Sequence, residues 1–269
     1  MLPTAADNQR SLTDEAGSGE GFLYRYRDLV GDRAERVKQI MVDSKLYFAS
    51  SADFNDPFDC KARFRGDLSP EDFSRKANAL MVERGIPRAV RRRNLRAQKS
   101  IPVFASNVSR GLQQVIDQTG ILSLSSTHEN ILMWAHYAFG HRGVCLQFRV
   151  TTNPPFLGTA LPVQYSKKME TPDLFGVDHN DRVKAILLTK AEDWKYEREW
   201  RVIQPDSAPG IRDFPPALLS GLILGANISE NNREKTLAWV EQRPGAIDVY
   251  QAERHPERFA LTFRLLEGL

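Results

Sequence analysis

Two carboxylates and a guanidinium fall at alternate positions in Tyr196-Glu197-Arg198-Glu199-Trp200-Arg201-Val202-Ile203. Read as a strand, this segment places Glu197, Glu199 and Arg201 on one face and Arg198, Trp200 and Val202 on the other. Unpaired charges are costly to bury, so such a face suits the wall of a polar cleft better than a core. The competing reading is a solvent-facing edge strand whose like charges are relieved by Arg201 and Lys195. The remaining candidate chemistry is dispersed. His136 stands near Trp134 and Tyr137 on a helical pattern, where a lone imidazole ordinarily serves packing. Asn55 and Asp56 lead a Phe-Asn-Asp-Pro-Phe-Asp turn whose phenylalanines are expected to anchor it.

The elements that must position these groups are readable from periodicity. Residues 22–27, 45–50, 121–125, 143–148 and 161–166 read as strands. Helices are expected at 32–43, where Val37, Ile40 and Met41 form a stripe, and at 181–191. A Ser126/Glu129 capping box predicts another running to Phe139, with Ile131, Leu132, Ala135, Ala138 and Phe139 on its apolar side. After the Glu-Arg-Glu strand come a buried strand at 218–224, a helix capped by Ser229, and strands near 247–251 and 259–266. Ser69, followed by Pro70, Glu71 and Asp72, opens a helical insert over about 69–120. These patterns predict an α+β fold of split, mainly antiparallel sheets flanking a cleft, as one domain over 22–269.

At 269 residues, 41% hydrophobic and 26% charged, the chain has the composition of an ordinary globular protein, which argues against disordered and fibrous classes. A net charge of +3 permits an anionic ligand without demanding nucleic acid. Two cysteines, Cys60 and Cys145, are too few for a disulfide framework, so a reduced, cytoplasmic setting is expected and no metal cluster is implied. Residues 1–21 are polar and acidic and read as a flexible tail, with neither signal peptide nor membrane span. Residues 88–99 concentrate six cations, which suit a phosphate-binding surface or a solvated helix face.

An ordered set of motifs carries a resemblance. Leu-Tyr-Arg-Tyr-Arg at 23–27, Leu-Tyr-Phe-Ala-Ser at 46–50, the Asn-Asp-Pro turn, Leu-Ser-Leu-Ser at 122–125, Met-Trp-Ala-His-Tyr at 133–137, Gly-Val-Cys at 143–145 and Trp-Lys-Tyr-Glu-Arg-Glu-Trp-Arg at 194–201 resemble the bacterial domain-of-unknown-function family 2971. That family implies no activity. The chain also resembles ADP-ribosyltransferases, which build a cleft for NAD from split sheets with three separated catalytic positions. The resemblance implies Arg25 at the first, Tyr47 or Ser125 at the second, and the pair Glu197 and Glu199 at the third.

It further implies NAD as co-substrate, with Tyr24, Asn55, Asp56, Trp134, His136, Tyr137 and Arg201 as NAD-contacting positions. In that reading Glu199 stabilises an oxocarbenium-like transition state, Arg25 holds a diphosphate oxygen, Tyr47 stacks on nicotinamide and Glu197 activates the acceptor. The acceptor is expected to be a nucleic acid or a protein, and a cognate partner protein and no membrane contact are expected. An alternative is a non-catalytic nucleic-acid or protein interaction module in phage defence, using residues 88–99. A nuclease with magnesium on Asp56, Asp59, Glu197 and Glu199 is the third reading.

Overall fold

The computed structural model describes residues 21–64, 68–97, 101–151, 156–169, 175, 179–204 and 207–266, so the expected tail at 1–20 lies outside the described residues. Numbered along the chain, the elements begin with β1 (Gly21–Arg27), α1 (Asp32–Met41), β2 (Lys45–Phe48), α2 (Pro70–Glu83), α3 (Arg88–Ala97), α4 (Ile101–Asp117) and β3 (Gly120–Ser125). They continue with α5 (Ile131–Tyr137), β4 (Val144–Val150), β5 (Leu161–Pro162), β6 (Gln164–Ser166), α6 (His179–Leu187), β7 (Thr189–Ala191) and β8 (Glu199–Gln204). The last are β9 (Gly210–Asp213), β10 (Leu219–Leu224), α7 (Glu230–Gln242), β11 (Asp248–Arg254) and β12 (Leu261–Leu265). The fold is α+β, and its sheet is mixed, mainly antiparallel and open.

The chain divides into two compact units, one of residues 1–49, 120–163 and 192–269, the other of 50–119 and 164–191. The first unit holds an eight-stranded sheet in the order β12-β11-β10-β4-β1-β3-β8-β5. Only β10 and β11 run parallel within it, as α7 between them requires of a crossover. Both faces of this sheet are covered. On one, Leu23, Leu122, Leu124, Leu146, Phe148, Trp200 and Val202 pack with Val37, Ile40 and Met41 of α1 and Trp239 of α7. On the other, Tyr24, Tyr26, Cys145 and Ile223 pack with Met133 and Trp134 of α5. Both faces of β1 are packed, with Phe22, Tyr24 and Tyr26 on one and Leu23, Arg25 and Arg27 on the other.

The second unit holds α2, α3, α4, α6 and the parallel pair β6 and β7. Ser69 caps α2 as its sequence implied, its hydroxyl accepting the Asp72 N–H at 3.0 Å. Phe73 of α2 makes edge contacts with Phe104 and Phe175. Within the Asn-Asp-Pro turn, the Asp56 carboxylate accepts the Phe58 N–H at 2.9 Å. Phe58 itself is 63% exposed and does not anchor the turn as expected, whereas Phe54 is half-buried. Asp59 forms a buried ion pair with Lys190 at 3.7 Å.

Three expected elements differ in position, and one strand was not expected. The Ser126/Glu129 capping box does not form, because Asn130 caps α5 by accepting the Leu132 and Met133 N–H groups. The helix is correspondingly short, and Ile131, Leu132 and Phe139 are exposed instead of core. The stretch 181–191 splits into the end of α6 and the strand β7. Residues 161–166 form two short strands, β5 and β6, that belong to different units. The strand β9, paired with β2, had no clear alternation to reveal it.

Gly143 and Gly225 lie where β1, β4 and β10 end together. A Cβ on Gly143 would stand 2.1 Å from the Arg27 carbonyl oxygen, and one on Gly225 2.2 Å from that of His141. The backbone here is also tied by the Gly225 N–H bond to the Gly143 carbonyl at 2.9 Å and the Asn227 N–H bond to the His141 carbonyl at 2.8 Å. Gly143→Ala is therefore expected to cost roughly 1–3 kcal/mol as an overpacked substitution. A urea titration of the purified chain checks this.

Candidate functional site

The Glu-Arg-Glu segment is not one strand. A 3-10 turn spans Glu192–Glu197, Arg198 adopts a left-handed φ of 45°, and β8 begins only at Glu199. The expectation that Glu197 shares a strand face with Glu199 and Arg201 is corrected by this turn, since a left-handed residue breaks the period-two alternation. Glu199 and Arg201 keep the alternation and share a face. Arg201 Nε and Nη2 donate to the two oxygens of Glu199 at 2.7 and 2.9 Å. Arg201 is wholly buried and Glu199 is 5% exposed, so this two-point contact is an interior ion pair and not a solvated edge.

Register brings further polar groups to the same side. Tyr24 on β1 faces Ser125 on β3, and Ser125 faces Glu199 on β8. The three lie in one row across neighbouring strands, on the face covered by α5. Ser125 Oγ donates to the Glu197 carbonyl at 2.6 Å and accepts the Thr127 N–H at 3.1 Å, tying β3 to the turn before β8. The Ser126 N–H donates to the Arg198 carbonyl at 3.0 Å, a second tie across the left-handed residue.

Helix α5 supplies the outer groups. The half-buried Tyr137 donates its hydroxyl to Glu197 Oε1 at 2.5 Å. His136 Nδ1 lies 2.9 Å from the Tyr196 hydroxyl, and the Asn130 amide donates to the Tyr196 carbonyl at 3.1 Å. Trp134 is wholly buried, its Nε1 donating to the His128 carbonyl at 2.8 Å and its ring edge-on to Tyr26 at 5.2 Å. Trp134 thus anchors the helix and presents nothing to a ligand. Burial pushes the Tyr24 phenol up to about 12, and burial lowers the His128 imidazole, whose ring lies 4.8 Å from that of Tyr24. Tyr24 therefore stays a neutral donor at physiological pH.

The expected residues divide into three places. Tyr24, Ser125, Glu197, Glu199, Arg201, Trp134, His136 and Tyr137 gather around α5 and the β8 turn. Arg25 and Tyr47 meet each other, Arg25 Nη2 donating to the Tyr47 carbonyl at 3.3 Å, but on the opposite side of the sheet from Ser125 and Glu199. Asn55 and Asp56 belong to the second unit, with Asn55 exposed and Asp56 buried under its turn. Sequence reasoning passed over Tyr196 and Asn130, although Asn just before an apolar helical run is itself an N-cap signal. Among the described residues no group of three or more His, Cys, Asp or Glu side chains is placed to hold a metal ion. Among them, too, no helix is long and apolar enough to cross a membrane.

The stretch of chain that comparison recognises contains the carboxylate-bearing turn before β8. Residues 133–202, from α5 through most of β8, match the family described as Protein of unknown function (DUF2971). No curated protein and no solved structure matches the chain.

Breaking the interior pair at β8 tests how far the row depends on it. Arg201→Met is expected to cost about 3–5 kcal/mol, because Glu199 loses its guanidinium in the interior, and Arg201→Met with Glu199→Leu to cost less than that. Chemical denaturation of the two variants beside the wild type gives the comparison. An equal or larger loss in the double variant would contradict the pairing argument.

Proposed function

We propose that the chain cleaves the bond between nicotinamide and ribose in NAD and passes the ADP-ribose to an acceptor. The observation that carries the reading is the row Tyr24, Ser125 and Glu199 on three neighbouring strands, with a second carboxylate, Glu197, just before the last of them. The transferase resemblance implies Arg25 at the first position and Tyr47 or Ser125 at the second; the row has Tyr24 on the first strand instead of Arg25 and takes Ser125 as the second. Nicotinamide departs with the bonding electron pair, and positive charge grows on the ribose. Glu199, oriented by Arg201, supplies negative charge to that centre. The acceptor then bonds to the sugar and gives its proton to Glu197. Both carboxylates are buried, so the Tyr137 contact with Glu197 opens as NAD enters. A nucleic-acid or protein acceptor fits the chemistry equally.

A second reading has its own observation. Arg88, Arg92, Arg93 and Arg96 of α3 are exposed, as a surface for nucleic-acid phosphates requires. It makes the chain an interaction module, and its affinity for RNA or DNA falls steeply with salt and is indifferent to Glu197 and Glu199.

Nicotinamide release from NAD separates the two. Under the transferase reading, Glu197→Gln and Glu199→Gln each reduce release by on the order of 100-fold or more while circular dichroism shows the fold retained. Wild-type release that survives both changes, or no release at all beside salt-sensitive nucleic-acid binding that Arg92→Glu weakens, removes the transferase reading.

A further inference from the structure

On the sheet face turned away from Glu199, Arg25 is 7% exposed and poorly satisfied. Its Nη2 makes one 3.3 Å bond, to the Tyr47 carbonyl, whereas Nε and Nη1 are buried with no partner. A guanidinium carries five N–H donors and keeps its charge, so leaving two of its nitrogens dry and unpaired is costly. No ion pair reaches it among the described residues. A native fold that retains such a group at the centre of a sheet asks for a reason beyond packing.

The cavity at Arg25 supplies one. It encloses about 380 Å³ and is lined also by Arg27, Arg36 and Lys45, with the half-buried Tyr47 ring as one wall. Arg36 stands 5.1 Å over that ring. Burial first, and then Arg27 and Arg36, press the Arg25 guanidinium well below its ordinary value. Burial and Arg36 likewise bring Arg27 down to about 10. These cations repel one another, and an anion seated among them offsets that repulsion by attracting each of them. Asp32 and Glu35 line the rim, but they are exposed in the first turn of α1, where they answer the helix dipole and form no ion pair with Arg25. Four cations against two carboxylates leave the wall positive.

We infer that this cavity is a binding site for a phosphoryl anion, with Arg25 at its floor and Arg27, Arg36 and Lys45 around it. A phosphoryl group offers several acceptor oxygens to the idle Nε and Nη1 donors, as arginine clusters commonly exploit. The volume exceeds that of one phosphate and falls in the range of small-molecule sites, leaving room for a sugar or ring against Tyr47. The site stands apart from the proposed transfer chemistry, because its floor residue faces the other side of the sheet.

The test is calorimetric and thermal, on the full chain. Inorganic phosphate and ribose 5-phosphate are titrated against KCl of matched ionic strength, and melting is followed at each concentration. Binding is expected to raise the melting temperature progressively in the wild type, to vanish in Arg25→Met, and to weaken in Arg36→Gln, an exposed position whose change leaves the fold intact. Glu197→Gln keeps the phosphate response, so this inference and the transferase reading fail separately. Tighter binding of ribose 5-phosphate assigns the anion to a phosphorylated metabolite, and equal binding assigns it to the free ion. A response no greater than that of KCl, or one unchanged in Arg25→Met, overturns the site.

Discussion

Strand β1 runs through the interior of the eight-stranded sheet, and its period-two alternation is the constraint on which both polar regions depend. Seven consecutive pairings to β4, from Gly21 with Val150 to Arg27 with Val144, fix its register. Tyr24 is thereby sent toward α5 and Arg25 toward α1 and β2. A slip of one residue would exchange them and place Leu23 among tyrosines. Because both faces are packed, such a slip exposes apolar surface on neither side and instead disrupts two cores at once. The two faces can therefore hold different chemistry while separated by the thickness of one strand.

How each face treats its buried charge is a direct physical contrast. On the α5 side, Arg201 is satisfied at two points by Glu199, and the pair shares one strand, so little freedom is lost on forming it. Arg243 shows a second solution, with one terminal nitrogen bonded to the Gly245 carbonyl and the other to those of Pro216, at 3.1 Å, and Leu219, at 3.4 Å. Arg25 has neither solution. Its single long carbonyl contact leaves most of its donors idle, in a cavity whose other cations raise the cost further. Arg243 thus leaves Nε alone without a partner among the described residues, whereas Arg25 leaves both Nε and Nη1.

Local signals survived folding wherever one element determined them. The alternation of 22–27 and 121–125, the stripe of Val37, Ile40 and Met41, and the caps at Ser69 and Ser229 all appear in the structure, because each depends on neighbours in sequence. What depended on register was out of reach. Tyr47 and Ser125 were equal candidates for one position, and only the pairing of β3 with β8 sets Ser125 opposite Glu199. The transferase resemblance groups Arg25 with Glu199, yet which faces of two strands coincide is a tertiary fact. At α5 two cap signals competed, and Asn130 prevailed because it satisfies two N–H groups directly, while Ser125 Oγ and Thr127 Oγ1 hold the preceding loop.

The left-handed Arg198 explains why the two carboxylates of Glu-Arg-Glu end with different partners. On an unbroken strand their side chains would project from one face about 7 Å apart, both drawing on the same guanidinium. Turning Arg198 into the left-handed region costs roughly 1–2 kcal/mol for a residue with a Cβ. The Ser126 N–H bond to the Arg198 carbonyl and the Ser125 hydroxyl bond to the Glu197 carbonyl offset that cost on either side of the turn. The result leaves Glu199 in the sheet with Arg201 and releases Glu197 to the Tyr137 hydroxyl on α5. One carboxylate is fixed by the sheet and the other by a helix whose tyrosine is only half-buried. Glu197 thus stands in the turn ahead of β8 and Glu199 within the strand, so a rearrangement of that turn moves the first carboxylate without displacing the second from the sheet.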